Sequence, residues 1–156
     1  MSSKRHKILK WAKKHKSSNR AAPQVGAICT RVRKGKRQVL LVTSRETGRW
    51  VIPKGWPMKG LSDADAAAVE AWEEAGVTEA KHNSKPLGQF EYKKKLDDGT
   101  AIPVNVSVFR LKVKDTSKKY PEAKQRKRLW VSPAKAAKMV REPKLKRLFL
   151  QLKKSG

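Results

Sequence analysis

Glu70, Glu73 and Glu74 are the residues whose type and spacing point most directly to chemistry. On a helix turning about 100° per residue, Glu73 falls near −60° and Glu74 near +40° from Glu70, so the three carboxylates share one face. Like charges at these offsets repel. Glu73 and Glu74 also come just before Gly76, where the exposed carbonyls of a last helical turn disfavour anions. Lysine would suit those positions better, and it is plentiful in a chain with 39 Lys+Arg against 13 Asp+Glu. The set makes chemical sense as hard oxygen ligands for a divalent cation; Mg²⁺ fits best, with Mn²⁺ as a substitute. The competing reading is a solvated acidic helix face, the commoner fate of Glu-rich helices. The segment before the helix, with Pro53, Lys54, Gly55, Pro57 and Gly60, is a stiff loop able to turn backbone N–H groups toward phosphate oxygens.

The elements that must position these groups follow from pattern and punctuation. Val25–Val32 and Gln38–Ser44 read as strands joined at Lys34-Gly35-Lys36, and Arg49–Ile52 as a short strand entering the loop. Ser62 starts the acidic helix as its N-cap, with Asp63 and Asp65 in the first turn, and Gly76 ends it. Ala68, Trp72 and Ala75 lie opposite the carboxylates and are expected to pack on the sheet, whereas Trp56 is expected to be exposed on the loop. Strands resume over Leu87–Leu96, turn at Asp97-Asp98-Gly99, and return through Val104–Leu111; Arg126–Val131 is the last. Ser132-Pro133 opens a second helix, and a third runs from near Pro143 to Lys153. This order predicts an α/β (α+β) fold with a central mixed β-sheet and helices packed on it. Residues 1–20 hold eight Lys/Arg and no acid and read as a basic, mobile arm; residues 21–156 form the domain.

Charge is distributed unevenly over the 156 residues. Residues 61–80 carry six acids and no Lys or Arg, while the whole chain is at +26. An acidic island in a basic chain looks like a cation site inside a field that attracts anions. The single cysteine, Cys29, excludes an internal disulfide framework and suits a reducing compartment; it reads as a core thiol. With no spanning apolar run and no signal-peptide core, the expectation is a cytoplasmic protein without membrane contact.

Gly55, Glu70, Glu73, Glu74, Gly76 and Val77 stand at the spacing of the Nudix box, G-x5-E-x7-R-E-U-x-E-E-x-G-U, where U is a bulky aliphatic. Residues 22–150 therefore resemble the Nudix hydrolase superfamily. The entry Trp50-Val51-Ile52-Pro53-Lys54-Gly55, with Tyr120-Pro121-Glu122, Arg126 and Trp130–Ala134, is similar to its diphosphoinositol polyphosphate phosphohydrolase-like branch. Leu61 and Val69 depart from the box, standing where a Glu and an Arg are expected. Because both partners are absent, no lone charge remains, and an apolar Leu61–Val69 contact is expected to brace the loop instead.

The resemblance implies an α/β/α sandwich and Mg²⁺-dependent hydrolysis of a phosphoanhydride in a nucleoside diphosphate linked to another group, or in a related polyphosphate. It makes Glu70, Glu73 and Glu74 the metal ligands. Glu73, Glu74 and Glu122 are the catalytic candidates, with Glu91 a second choice for a base outside the box. Arg45, Arg49, Lys54, Gly55, Lys59 and Arg126 are the candidates for substrate phosphates, since arginine offers a bidentate fork and lysine a point charge. Diphosphoinositol polyphosphates and dinucleoside polyphosphates lead the substrate classes. A second reading is a weakened Nudix scaffold that binds nucleic acid or other polyanions without specificity. A third is a deliberately recharged chain with its parent's activity. The sequence leaves oligomeric state open.

Overall fold

The computed structural model describes residues 20–154. The basic arm therefore lies outside the described residues, apart from Arg20. Eight strands form one mixed sheet: β1 (Ala22–Arg33), β2 (Lys36–Thr43), β3 (Trp50–Val51), β4 (Lys54–Gly55), β5 (Val77–Lys81), β6 (Gly88–Lys95), β7 (Ala101–Thr116) and β8 (Arg128–Val131). The path β3-β2-β1-β7-β5 runs across it, with β4 on β1, β6 on β7 and β8 on β2. β1 and β7 run parallel at its centre, with Ala22 opposite Val104 and Thr30 opposite Lys112, and the other pairs are antiparallel.

Both faces of this sheet are covered at its centre, which is why Val25–Cys29 of β1 and Val39–Val42 of β2 are buried without interruption. On one face Ile28, Val39, Leu41, Val104, Val106 and Val108 pack with Phe149, Leu145 and Leu148. These last belong to α3 (Pro143–Lys154), which lies beside α2 (Pro133–Met139). On the other face Ala27, Cys29, Leu40, Val42, Phe109 and Leu111 meet the alanines of α1 (Asp63–Ala75). The result is the expected α/β/α sandwich. Among the described residues no helix is long and apolar enough to cross a membrane.

The caps read from the sequence are present. Ser62 accepts from Asp65 N, Gly76 closes α1 at φ 74°, and Ser132 accepts from Lys135 N with proline following. The strand boundaries differ from expectation. β1 and β7 extend beyond their alternating cores because each extension pairs with a neighbouring strand: Ala101–Pro103 with β6, Val113–Thr116 with β5, and Ala22–Gln24 with β7. β4 and β5 lie in segments that had read as loop and helix exit. β3 is only Trp50–Val51 and β8 begins at Arg128.

Two tryptophans are reversed from expectation. Trp56 is 6% exposed and Trp72 is 36% exposed. β4 draws the Pro-Lys-Gly segment onto β1, with Lys54 opposite Gly26, so the next side chain turns into the core. α1 meets the sheet through small residues. Ala64, Ala66, Ala67, Ala71 and Ala75 are buried, as are Glu70 and Glu74. On the helical wheel this buried arc runs from Ala66 near −40° through Glu70 at 0° to Ala75 near 140°, leaving Trp72 near 200°, outside the contact. The carboxylate face is thus turned inward beside the alanine stripe, not away from it.

Candidate active site

α1 and β4 set the floor of the site. Glu70 and Glu74 are each 2% exposed, an expensive location for two carboxylates unless charge or hydrogen bonds compensate. The Glu70 carboxylate presses on the backbone of Gly55 so closely that a Cβ there would lie 2.3 Å from its carboxyl carbon. Glycine at this point is therefore a condition for seating Glu70. Glu74 Oε1 accepts from the Lys54 backbone N–H at 3.3 Å. Glu73, one turn around, is half-buried.

Arg126 brings Glu122 into this group. Its Nη2 lies 3.0 Å from Glu122 Oε1 and 3.8 Å from Glu74 Oε2. Its Nε donates to Glu122 Oε1 at 3.1 Å, and its Nη1 donates to the Thr43 carbonyl at 3.0 Å. The Glu122 backbone N–H donates to the Glu73 carbonyl at 2.9 Å, fastening this turn to the end of α1. The Arg45 Nε is 3.5 Å from the same Glu122 oxygen, and its Nη1 donates to Gln125.

Above this floor opens a cleft of about 610 Å³ between the β3–β4 region and the β6–β7 hairpin. It takes in Arg45, Arg49, Lys54, Gly55, Glu74 and Arg126, together with Lys93, Lys94 and Lys95. Its lining holds eight Lys/Arg against three acids. The Lys54 ammonium sits 5.0 Å above the Tyr92 ring. Burial pushes its pKa down to about 8 even though Glu74 pulls it up, and Lys94, Arg126 and Arg49 add to the depression. Tyr92 donates its hydroxyl to Gln24 at 2.8 Å, and burial pushes its pKa up.

The structure does not bring every candidate together. Lys59 is exposed on the loop and does not line the cleft. Glu91 is exposed and paired with Lys144 at 3.3 Å. Leu61 is 43% exposed, which leaves little buried area for the apolar brace expected with Val69. Cys29 is fully buried in the core, and burial pushes its thiol up to about 12. Four residues escaped sequence reading: Gln24, Tyr92, Arg141 and Glu142. Only the buried strand position of Tyr92 carried a signal, because period-two counting from Phe90 places it on the same face.

The donors are hard carboxylate oxygens, with Glu74 in the cleft lining and Glu70 buried against Gly55 beside it, and that chemistry fits a divalent cation such as Mg²⁺. Among the described residues no three acid, histidine or cysteine side chains converge as a closed metal site. Glu74 and Glu122 instead meet on the guanidinium of Arg126.

Comparisons with known proteins bear on family and fold. The sequence model of the NUDIX domain matches residues 22–152. Nudix hydrolase 21, chloroplastic, of Arabidopsis thaliana is 34% identical over 124 residues, covering 74% of this chain and 58% of that protein. Nudix hydrolase 4 of the same organism is 37% identical over 95 residues, covering 61% of this chain and 44% of that protein. The chain thus spans about half the length of the curated relatives it matches. Among solved structures, the C. elegans Ap4A hydrolase superposes with a TM-score of 0.61 at 20% identity, covering 86% of this chain and 98% of that one. The MutT protein from Methanosarcina mazei Go1 gives 0.58 at 23%, covering 86% and 94%. At such identities the structural likeness is one of fold. The box glycine seated against a buried helix carboxylate, the sandwich around it and the match over residues 22–152 together place this chain in the NUDIX domain family.

Proposed function

We propose that the protein is a Mg²⁺-dependent hydrolase of phosphoanhydride bonds whose substrates are dense in phosphate. The observation that carries this reading is a strongly cationic cleft set over a floor of buried carboxylates. A pure polyanion binder gains nothing from acids buried beneath its ligand, which disfavours the binding-only alternative. Among the described residues, the aromatic side chains lining the cleft are Trp56, which is buried, and Tyr92, which has Lys54 over its ring. With one ring buried and the other under a lysine, the reading favours diphosphoinositol polyphosphates over dinucleoside polyphosphates. The lone buried thiol suits a reducing compartment, and the cytoplasm is the proposed location.

Glu70, Glu73 and Glu74 would hold the cation, which when bound neutralises phosphoryl charge and makes water a better nucleophile. Lys54 and Arg126 bind and orient substrate phosphate, as point charge and planar fork respectively. Arg45 and Arg49 extend this field toward more distant phosphates. Glu122, tied to the same guanidinium as Glu74, is the candidate acceptor for the proton of the attacking water.

The test is a substrate panel of diphosphoinositol pentakisphosphate, diadenosine tetraphosphate and a nucleotide sugar, each with and without Mg²⁺. The expected result is metal-dependent phosphate release, fastest on the inositol substrate. Faster turnover of diadenosine tetraphosphate would reverse the substrate preference, and turnover of none would contradict the enzymatic reading.

A further inference from the structure

Arg49 and Glu142 form a partly buried charge pair at the cleft wall. Arg49 stands at the entry to β3 and Glu142 just before α3, 93 residues later; Arg49 Nη2 donates to Glu142 Oε2 at 2.8 Å. Their side chains are 26% and 8% exposed. Arg49 lines the cleft, as does Arg141, while Glu142 lies behind that wall.

As a structural clamp the pair is poor. Arg49 Nη1 and Glu142 Oε1 are both enclosed without a hydrogen-bond partner among the described residues. A buried donor or acceptor left unmet gives up its hydration without a replacement bond, which destabilises the fold. A buried ion pair is in any case weak evidence of stabilisation, because apolar residues of similar size often do as well. What the pair does accomplish is to fix a long, rotamer-rich side chain in a single orientation at the cleft wall, where the Arg49 side chain stays 26% exposed. Holding such a group in place beforehand removes the ordering cost of binding an anion.

We infer that Glu142 is a positioning residue: it holds the Arg49 guanidinium at the cleft wall, where its charge attracts a phosphate group of the substrate. This rests on the proposed phosphate-dense substrate. Glu142 itself touches no substrate and acts only through Arg49.

Charge and position predict opposite signs. Glu142 is an anion close to the cleft, so by charge alone its removal strengthens anion binding, whereas by position its removal weakens it. The experiment is calorimetric titration of the full-length protein with inorganic tripolyphosphate, for wild type, Glu142→Ala, Glu142→Gln, Arg49→Ala and the double variant Arg49→Ala/Glu142→Ala. The expected result is a loss of about five- to tenfold in affinity for Glu142→Ala. Glu142→Gln, which keeps one acceptor for Arg49, should fall between it and wild type. Glu142→Ala should add no further loss once Arg49 is alanine. Unchanged or tighter binding by Glu142→Ala, or additive losses in the double variant, would overturn the inference while leaving the proposed function intact. If Glu142→Ala does not fold, Glu142→Gln decides alone, weaker binding supporting the inference and equal or tighter binding overturning it. A wild-type chain that binds no tripolyphosphate overturns the phosphate-dense reading and this inference with it.

Discussion

Lys54 joins the two halves of the site: its backbone N–H donates to Glu74 and its ammonium covers Tyr92 above the cleft floor. With its pKa lowered from 10.5 to about 8, it is mostly charged at pH 7 and mostly neutral at pH 9. In the free protein its attraction for phosphate therefore fades as pH rises through 8. KM for a polyphosphate substrate should climb between pH 7 and 9, and Lys54→Arg, which stays charged, should flatten that rise. The same shift bears on stability with the opposite sign. Between about pH 8 and 10.5 the unfolded chain binds the proton that the folded chain has released, so this group makes stability increase with pH. Denaturant midpoints measured across that range should rise in wild type, and the contribution should vanish in Lys54→Met. The candidacy of Lys54 was legible in the sequence because it sits inside a Pro-Lys-Gly element. Its lowered pKa was not, since that depends on Tyr92, Arg49 and Lys94 arriving from other strands.

At the scale of elements, α1 was legible from end to end, and the reason is local: a serine cap, acids in the first turn and a left-handed glycine at Gly76 all act within a few residues. Its orientation was not legible. Counting polar and apolar residues assigns Trp72 to the core, but five buried alanines let the helix lie close to the sheet and carry Glu70 and Glu74 in with them. β4 was missed for a related reason: proline and glycine mark loops, and a two-residue strand forms only because β1 offers an edge. The reversal of the tryptophans gives a sharp contrast. Trp56→Ala should cost about 3–5 kcal/mol, as removal of a buried aromatic does. Trp72→Ala should cost under about 1 kcal/mol, as exposed substitutions do. Urea unfolding of both variants measures the difference, and equal losses would contradict the orientation of α1.

For the molecule as a whole, a net charge of +26 first suggests a nucleic-acid partner. The fold sorts that charge. Two acids of the 61–80 island, Glu70 and Glu74, go inward under the cleft, and eight Lys/Arg line it above. Fold class and the carboxylate set could be read from spacing because helix geometry alone fixes the offsets among Glu70, Glu73 and Glu74. The tie from Arg126 to Glu74, and that from Arg49 to Glu142, join residues whose meeting depends on the packed sheet, beyond the reach of a local pattern. The central claim is that these buried carboxylates hold a cation that hydrolysis requires. Its most direct test is the rate of phosphate release from diphosphoinositol pentakisphosphate by wild type and Glu74→Gln, as Mg²⁺ is titrated from zero. The account predicts no turnover without Mg²⁺, saturable activation in wild type, and a loss of about a hundredfold or more in Glu74→Gln at every Mg²⁺ concentration. Turnover that is independent of Mg²⁺, or a Glu74→Gln variant as active as wild type, would contradict it.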